Sequence, residues 1–256
     1  MRGDRGATPP GRDDAGLAAA LAARAGELLV GIRGEGPHAG VRGDREANES
    51  ILAGLAEARP GDAVLSEESD DDPARLGADR VWIVDPLDGT REYAMAGRAD
   101  WAVHVALWER GAEVTAAAVA LPALGAVVTT TDPPPLRTWQ PGGPVRTVHS
   151  DSRPPQWLPA LREVFPRMQT SPMGSAGAKA MAVVRGEADA YVHDGGQWEW
   201  DSAAPVGVAL AAGLHCSRLD GAALRYNQQR PYVADLVICR REIAGELLDA
   251  IAEVNR

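Results

Sequence analysis

Two carboxylates three residues apart close an apolar run at Val81-Trp82-Ile83-Val84-Asp85-Pro86-Leu87-Asp88-Gly89-Thr90. Val81 to Val84 is short, β-branched and aromatic, which predicts a buried strand. Pro86 has no N–H to give to a ladder, so the strand is expected to stop there and the chain to turn. Asp85 at the strand end and Asp88 one turn on then face one point in space, with the Leu87 carbonyl between them. Hard oxygen donors so placed suit Mg²⁺ or Ca²⁺ rather than a soft metal. Gly89 permits close backbone approach, and Thr90 offers a hydroxyl and an N–H to a phosphate at a helix start. Asp, Pro and Gly are also ordinary turn residues, so the motif alone leaves a surface turn open.

Other acidic residues stand at element ends. Ala63-Val64-Leu65 predicts a short strand that runs into Ser66-Glu67-Glu68-Ser69-Asp70-Asp71-Asp72. Asp70 to Asp72 read as a solvated loop, whereas Glu67 and Glu68 sit directly at the strand end. Asp44 stands at the predicted N-cap of a helix over 45–58, with Ile51, Leu52 and Leu55 inward and Pro60-Gly61 as its stop. Asp201 follows Trp198-Glu199-Trp200 at the start of an alanine-rich helix to Gly213, where the dipole stabilises a carboxylate and a simple cap is an adequate reading. Brought together, Glu67, Asp85, Asp88 and Asp201 would repel one another strongly without cations. Two divalent ions about 3.5–4 Å apart would offset that charge and leave positions for water and phosphate, the arrangement phosphoester hydrolysis needs.

The remaining elements must position these groups. A helix capped by Asp13 or Asp14 is predicted through Leu17, Leu21, Ala25, Leu28, Leu29 and Ile32, followed by a glycine-rich loop from Gly34 to Gly43. Strands are predicted over 101–108, 113–121 and 126–130. The Pro-rich stretch 132–144 marks an expected boundary between an N-terminal α+β domain, 1–140, carrying most metal ligands, and a C-terminal α/β domain, 141–256, completing the substrate site. In the latter, strands are expected at 146–150, 188–193, 215–218 and 232–239. Its helices are expected at 158–165, from a small-residue turn at 173–179 to 186, through the alanine-rich segment, and at 242–254.

A chain of 256 residues, 45% hydrophobic and 24% charged, is a soluble globular protein able to bury a sizeable core. Its formal net charge of −10 argues against nucleic-acid binding and obliges any phosphate-bearing substrate to find local cations. Cys216 and Cys239 are too few for a disulfide framework or a cysteine zinc site, and read as inert thiols of a reducing cytosol. Met1 to Asp14 is polar with no apolar stretch, so neither a signal peptide nor a membrane span is expected. The location expected is cytoplasmic, with a frayed N-terminus.

Three motifs in order, Leu65-Ser66-Glu67-Glu68, Asp85 to Thr90, and Trp200-Asp201-Ser202-Ala203-Ala204, resemble the inositol monophosphatase superfamily of lithium-sensitive, magnesium-dependent phosphatases. The resemblance covers essentially the whole chain after the first residues. It implies a layered αβαβα sandwich of the inositol monophosphatase/fructose-1,6-bisphosphatase type, with the site between the two domains. Carried over by motif position, Glu67, Asp85 and the Leu87 carbonyl would bind one Mg²⁺, and Asp85, Asp88 and Asp201 a second. Asp44, Glu67 and Thr90 are the implied catalytic set. Asp44 with Thr90 would orient or deprotonate the attacking water, and Asp44 would help hold a third, weaker ion. Val41 stands where the family often has a Thr. The implied substrate contacts are Asp88, Gly89, Thr90, Ser175, Lys179 and Asp201.

Within the superfamily, Thr90-Arg91-Glu92-Tyr93 resembles the Thr-Lys-Glu-Phe of the CysQ-type branch, and Gly174-Ser175 with Lys179 is similar to its phosphate-holding Gly-Ser/Lys pattern. Leu224-Arg225-Tyr226-Asn227 is similar to its Leu-x-Tyr-Asn, and Gly195 to Asp201 resembles the actinobacterial members. This implies a phosphoric monoester hydrolase, a 3′(2′),5′-bisphosphate nucleotidase. It would convert 3′-phosphoadenosine 5′-phosphate to AMP and phosphate in sulfate assimilation, with 3′-phosphoadenylyl sulfate as a second substrate. Its partner would be a small nucleotide bisphosphate, and the family leans to homodimers.

A bisphosphate carries a second dianion away from the metals. Lys179 is the best cation to receive it, with Arg153 and Arg225 as candidates for which a solvated surface role is as good. His193 falls where relatives often carry an arginine and reads as a structural His. Trp198 and Trp200 either stack on a base or pack in the core. The alternatives are a broad inositol monophosphate or fructose-1,6-bisphosphate phosphatase and, in a different class, a non-catalytic metal-dependent nucleotide-sensing module.

Overall fold

The computed structural model describes residues 14–36 and 38–255. Asp13 and the polar residues before it lie outside the described residues. In chain order the elements are α1 (Asp14–Ile32), α2 (Ala39–Ala58), β1 (Ala63–Ser66), β2 (Arg80–Asp88), α3 (Thr90–Ala94), β3 (Ala102–Glu109), β4 (Glu113–Leu121) and β5 (Ala126–Thr129). Then follow β6 (Val145–Ser150), α4 (Leu158–Val164), β7 (Met168–Met173), α5 (Ala176–Val184), β8 (Ala190–Trp198), α6 (Glu199–Ala211), β9 (His215–Ser217), β10 (Tyr232–Cys239) and α7 (Arg241–Val254).

The strands form two sheets, β1-β2-β3-β4-β5 and β7-β6-β8-β10-β9. The pattern of apolar residues dictates the stacking. One face of the first sheet, with Trp82, Val84, Val103 and Val105, buries the apolar stripe of α1 and α2. The opposite face, with Val81, Ile83, Ala106 and Ala117, packs on α5 and α6, whose other side meets Tyr191, Leu236 and Ile238 of the second sheet. Val145, Val192, Val237 and Cys239 then cover α4 and α7. The order is helix, sheet, helix, sheet, helix, the αβαβα sandwich the motifs imply. Helices α5 and α6 are apolar nearly all round because sheets cover both their sides.

Helix α1 is long and apolar enough by composition to cross a membrane, yet its stripe Ala15, Ala18, Leu21, Ala22, Ala25 and Leu29 is buried in this protein's own core.

Local expectations fail at α2, β2, β7 and β8. The second helix begins at Ala39, not at Arg45, so Gly40 and Gly43 are helical rather than part of a loop. A Cβ on Gly43 would meet Leu29 at 2.9 Å and the Tyr93 hydroxyl at 3.3 Å, so this glycine is a packing choice that composition cannot distinguish from a loop signal. Asp44 is therefore inside a helix and caps nothing. Strand β2 runs through Pro86 to Asp88, because the register slips between Asp85, opposite His104, and Asp88, opposite Ala102. An extra residue bulges there and removes the need for a Pro86 N–H. Strand β8 likewise continues past His193 to Trp198, and β7 was not expected at all.

A buried arginine joins the two sides of the molecule. Arg75, in the 3₁₀ turn Pro73–Gly77, is 1% exposed. It donates to the Asn227 side chain at 2.7 Å, the Gln228 carbonyl at 3.0 Å and Asp71 at 2.6 Å. Glu199, the first residue of α6, accepts the N–H groups of Asn227 and Gln228 at 2.6 and 2.8 Å. The turn after the acidic loop is thus tied to the start of α6.

Close packing of α6 on the first sheet rests on Gly207, where a Cβ would lie 2.6 Å from Cγ1 of Val114. Val114 is β-branched on β4 and cannot turn aside. Gly207→Val is expected to lower unfolding stability by about 1–3 kcal/mol, read as an unfolding midpoint shift in urea.

Candidate active site

Parallel pairing of β1 and β2 sets the site. Ser66 lies opposite Val84, and the Glu67 N–H continues the ladder to the Val84 carbonyl at 3.2 Å, so Glu67 and Asp85 leave adjacent strands side by side. The Ser66 hydroxyl donates to Asn48 at 2.7 Å, and Asn48 donates to Ser69 at 3.1 Å, pinning the acidic loop to α2 one turn after Asp44. At the bulge the Leu87 N–H donates to Asp85 Oδ1 at 3.0 Å. Gly89 has φ +87°, and a Cβ there would crowd Ser175 at 3.0 Å, so the turn into α3 requires glycine.

Ligand oxygens of Asp85, Asp88 and Asp201 lie within 4.8 Å of one another. Glu67, exposed just past the end of β1, stands within electrostatic reach of Asp201, Asp44 and Asp85. The Thr90 hydroxyl lies 3.2 Å from the Leu87 carbonyl and 3.4 Å from Asp44 Oδ2. The structure therefore brings Asp85, Asp88 and Asp201 together, with Glu67 beside them and Thr90 against Leu87 and Asp44. The cleft beside them, about 230 Å³, is lined by Asp88, Gly89, Thr90, Ser175, Lys179 and Asp201, with Arg91, Glu92, Asp151, Arg153, Tyr191, His193 and Gln197 beyond.

The carboxyl groups are not equivalent. Asp88 is saturated with donors: the Ser175 hydroxyl and the Gly177 N–H at 2.6 Å reach Oδ2, and the Ala176 N–H reaches Oδ1 at 3.1 Å. Burial alone would raise its pKa, but the charge of His104 3.2 Å away, with the Ser175 and Gly177 donors, brings it down to about 2. Asp85 is the opposite case. Burial, then the charges of Glu67, Asp88 and Asp201, hold it well above the carboxylate range, and its Oδ2 is buried with no hydrogen-bond partner among the described residues, the nearest ring nitrogen being His104 Nδ1 at 3.8 Å. Glu67 is pushed to about 8 by loss of water around its tip and then by Asp201 and Asp44. Burial and then the Glu68 charge lift Asp44 to about 7, and its Oδ1 also lacks a partner. Asp201, lifted to about 6 by burial and Asp88, accepts the Trp198 N–H at 2.6 Å in the first turn of α6. Oxygens stripped of water with nothing to accept from fit hard divalent cations.

The substrate-side cations fall out differently from their order in the sequence. The Lys179 ammonium is buried and donates to the carbonyls of Gly174 at 2.6 Å and Ser175 at 2.7 Å, and burial lowers its pKa to about 8. It thus holds the turn before α5. Arg153 lines the cleft and its guanidinium makes no hydrogen bond or ion pair among the described residues, while its charge acts on Asp201, Tyr191 and His193. Arg225 pairs with Glu113 at 2.9 Å on the exterior. His193 is buried with Nε2 3.0 Å from the Gly196 carbonyl, as a structural His would be. Trp198 and Trp200 stack on each other at 5.3 Å, Trp200 against the core and Trp198 43% exposed.

Two features escaped the sequence reading. Asp151 pairs with both Arg91 and Arg98 across the cleft mouth. His104 is fully buried between Asp85 and Asp88. Burial pulls its pKa down, yet the Asp88 charge outweighs that and raises it. A lone His flanked by Val103 and Val105 in an apolar strand was the available signal.

A family model described as the inositol monophosphatase family matches residues 41–256. A Mycobacterium leprae protein named 3′-phosphoadenosine 5′-phosphate phosphatase is 56% identical over 256 residues, covering 94% of this chain and 94% of its own. A Salmonella typhimurium protein named 3′(2′),5′-bisphosphate nucleotidase CysQ is 32% identical over 205 residues, 74% of this chain and 80% of its own. The crystal structure of CysQ from Bacteroides thetaiotaomicron is similar with a TM-score of 0.77 at 25% identity, covering 91% of this chain and 99% of that one.

The raised carboxyl groups make metal-free stability depend on pH. Asp44, Glu67, Asp85 and Glu199 bind protons more tightly folded than unfolded. Their contribution is full below the unfolded pKa and is lost as pH rises through the folded one. His193 and His215, whose pKa values are lowered, oppose this only at more acid pH. In chelator, the thermal midpoint is expected to fall between about pH 6.5 and about pH 8, and Mg²⁺ is expected to restore it; a midpoint that rises across this interval would contradict the assignment.

Proposed function

Because the chain belongs to the inositol monophosphatase family, we propose that it is a Mg²⁺-dependent 3′(2′),5′-bisphosphate nucleotidase that hydrolyses 3′-phosphoadenosine 5′-phosphate to AMP and phosphate in sulfur assimilation. The observation that carries the hydrolase reading is Asp85 Oδ2, a buried carboxyl oxygen among other acids with no hydrogen-bond partner among the described residues. The nucleotide reading is supported by the relative that is 56% identical over nearly the whole chain.

Glu67, Asp85 and the Leu87 carbonyl would hold one ion, and Asp85, Asp88 and Asp201 a second. When bound, Mg²⁺ supplies Lewis-acid stabilisation of the phosphoryl and leaving oxygens and eases deprotonation of the attacking water. The chain supplies the proton path and the alignment. The Thr90 hydroxyl orients the water, and Asp44, lifted to about 7 beside it, takes the proton at Oδ2. The water oxygen bonds to phosphorus as the bond to the 3′-oxygen breaks, and that oxygen leaves with a proton from solvent. Gly89 and Thr90 flank the transferred phosphate. Arg153, the cleft cation whose guanidinium has no partner among the described residues, receives the second phosphate, and Lys179 shapes the wall by holding the Gly174 and Ser175 carbonyls.

The test compares kcat/KM in Mg²⁺ for 3′-phosphoadenosine 5′-phosphate, inositol 1-phosphate and fructose 1,6-bisphosphate. The nucleotide is expected to be preferred about a hundredfold, ~2.7 kcal/mol of differential transition-state binding. Comparable values for all three would reject the nucleotide assignment in favour of a broad phosphatase. Arg153→Gln is expected to lower kcat/KM for the nucleotide about tenfold while leaving inositol 1-phosphate within about twofold. Asp85→Asn is expected to abolish turnover of every substrate, and unchanged activity in this variant would reject the two-metal assignment.

A further inference from the structure

We propose that His104 is a positioning residue that sets the separation of the two carboxylates of the second metal position, Asp88 and Asp201, an inference that rests on the metal reading above. Asp88 ends β2 and Asp201 lies in the first turn of α6, elements far apart in sequence. The hydrogen bonds to Asp88 come from Ser175 and the start of α5, and Asp201 is held by its own helix cap. The His104 ring bridges them. Its Nε2 lies 3.2 Å from Asp88 Oδ2, and its Nδ1 lies 3.1 Å from the carbonyl of Trp200, the residue before Asp201.

Space for that ring is built in. A Cβ on Gly177 would come within 2.1 Å of Nε2, so the first turn of α5 carries a glycine where the imidazole passes. The ring is wholly shut from solvent on a strand whose neighbours Val103 and Val105 are core residues. An aliphatic side chain would fill this position without desolvating two ring nitrogens, so the histidine is accounted for by its partners rather than by its volume. Through Asp88 and the α6 backbone it acts on the metal position without entering it, as residues behind metal ligands do.

The experiment titrates Mn²⁺ into the metal-free full chain, counts free Mn²⁺ by electron paramagnetic resonance, and measures the Mg²⁺ dependence of turnover. Three variants separate the contacts. His104→Leu removes both, His104→Gln keeps a donor at the Nε2 position, and His104→Asn keeps one at the Nδ1 position. The leucine variant is expected to bind the weaker Mn²⁺ about 10–100-fold less tightly. Its half-saturating Mg²⁺ should rise by a similar factor, with a smaller fall in kcat at saturation. The two amide variants should lie between leucine and wild type. Isotherms of all three variants that superimpose on wild type would overturn the proposal. Should the leucine variant fail to fold, the two amide variants decide it: weakened binding in at least one supports the role, and wild-type binding in both overturns it. Wild-type protein that takes up no Mn²⁺ would instead overturn the metal reading, and this inference with it.

Discussion

Mutual repulsion among carboxyl groups confined to one small volume is the constraint around which this molecule is built. Asp85, Asp88 and Asp201 converge, with Glu67 and Asp44 beside them, and water is largely excluded from all but the rim. Such a cluster is unfavourable as a set of bare charges. The fold answers it unevenly. Asp88 receives backbone and hydroxyl donors with the His104 ring 3.2 Å away, while Asp85 keeps one oxygen with no hydrogen-bond partner among the described residues. That unevenness separates a ligand site from a structural ion-pair network, in which every oxygen would have its cation within the chain.

The architecture exists to hold that unevenness in place. A parallel pair of strands sets Glu67 beside Asp85, and a one-residue bulge at Pro86 turns Asp88 back toward it. The two helices between the sheets bring the remaining parts: the start of α5 meets Asp88, and the start of α6 carries Asp201. Both are buried on two sides, so their ends are fixed by packing with either sheet and not by local hydrogen bonds alone. On the flank of the cleft away from the acidic cluster, Arg91 and Arg98 are neutralised by Asp151, Glu92 and Asp100. Arg153 is thereby left as the arginine there with no side-chain partner among the described residues.

Much of this was legible in the chain itself, and the part that was not follows a rule. Motif residues that act through oxygen, Glu67, Asp85, Asp88, Asp201 and Thr90, could be found because their types and order carry the chemistry. The layer order was implied by the family resemblance, and from the residues themselves only the alternation of strands and helices in the second half could be read. Sequence reasoning failed where a residue does the opposite of its usual task. Gly40 and Gly43 permit helix contact instead of breaking a helix, Pro86 sits within a strand at a bulge, and Lys179 spends its donors on the carbonyls of Gly174 and Ser175. His104 was missed because a single polar residue in an apolar strand announces itself only once its three-dimensional neighbours are known.

The ties that cross the molecule bear on how a substrate comes and goes. Arg75, Asn227 and Glu199 fasten the acidic loop to α6 on one side of the cleft, and Arg91 and Arg98 reach Asp151 on the other. Between them the middle helices share one continuous apolar cluster with both sheets. Hinge opening would have to break buried hydrogen bonds and expose packed core together. The cleft is therefore a standing aperture rather than a jaw. Traffic through it depends on rotation of side chains at the mouth, and discrimination among substrates falls to a rigid outline that each must match on arrival.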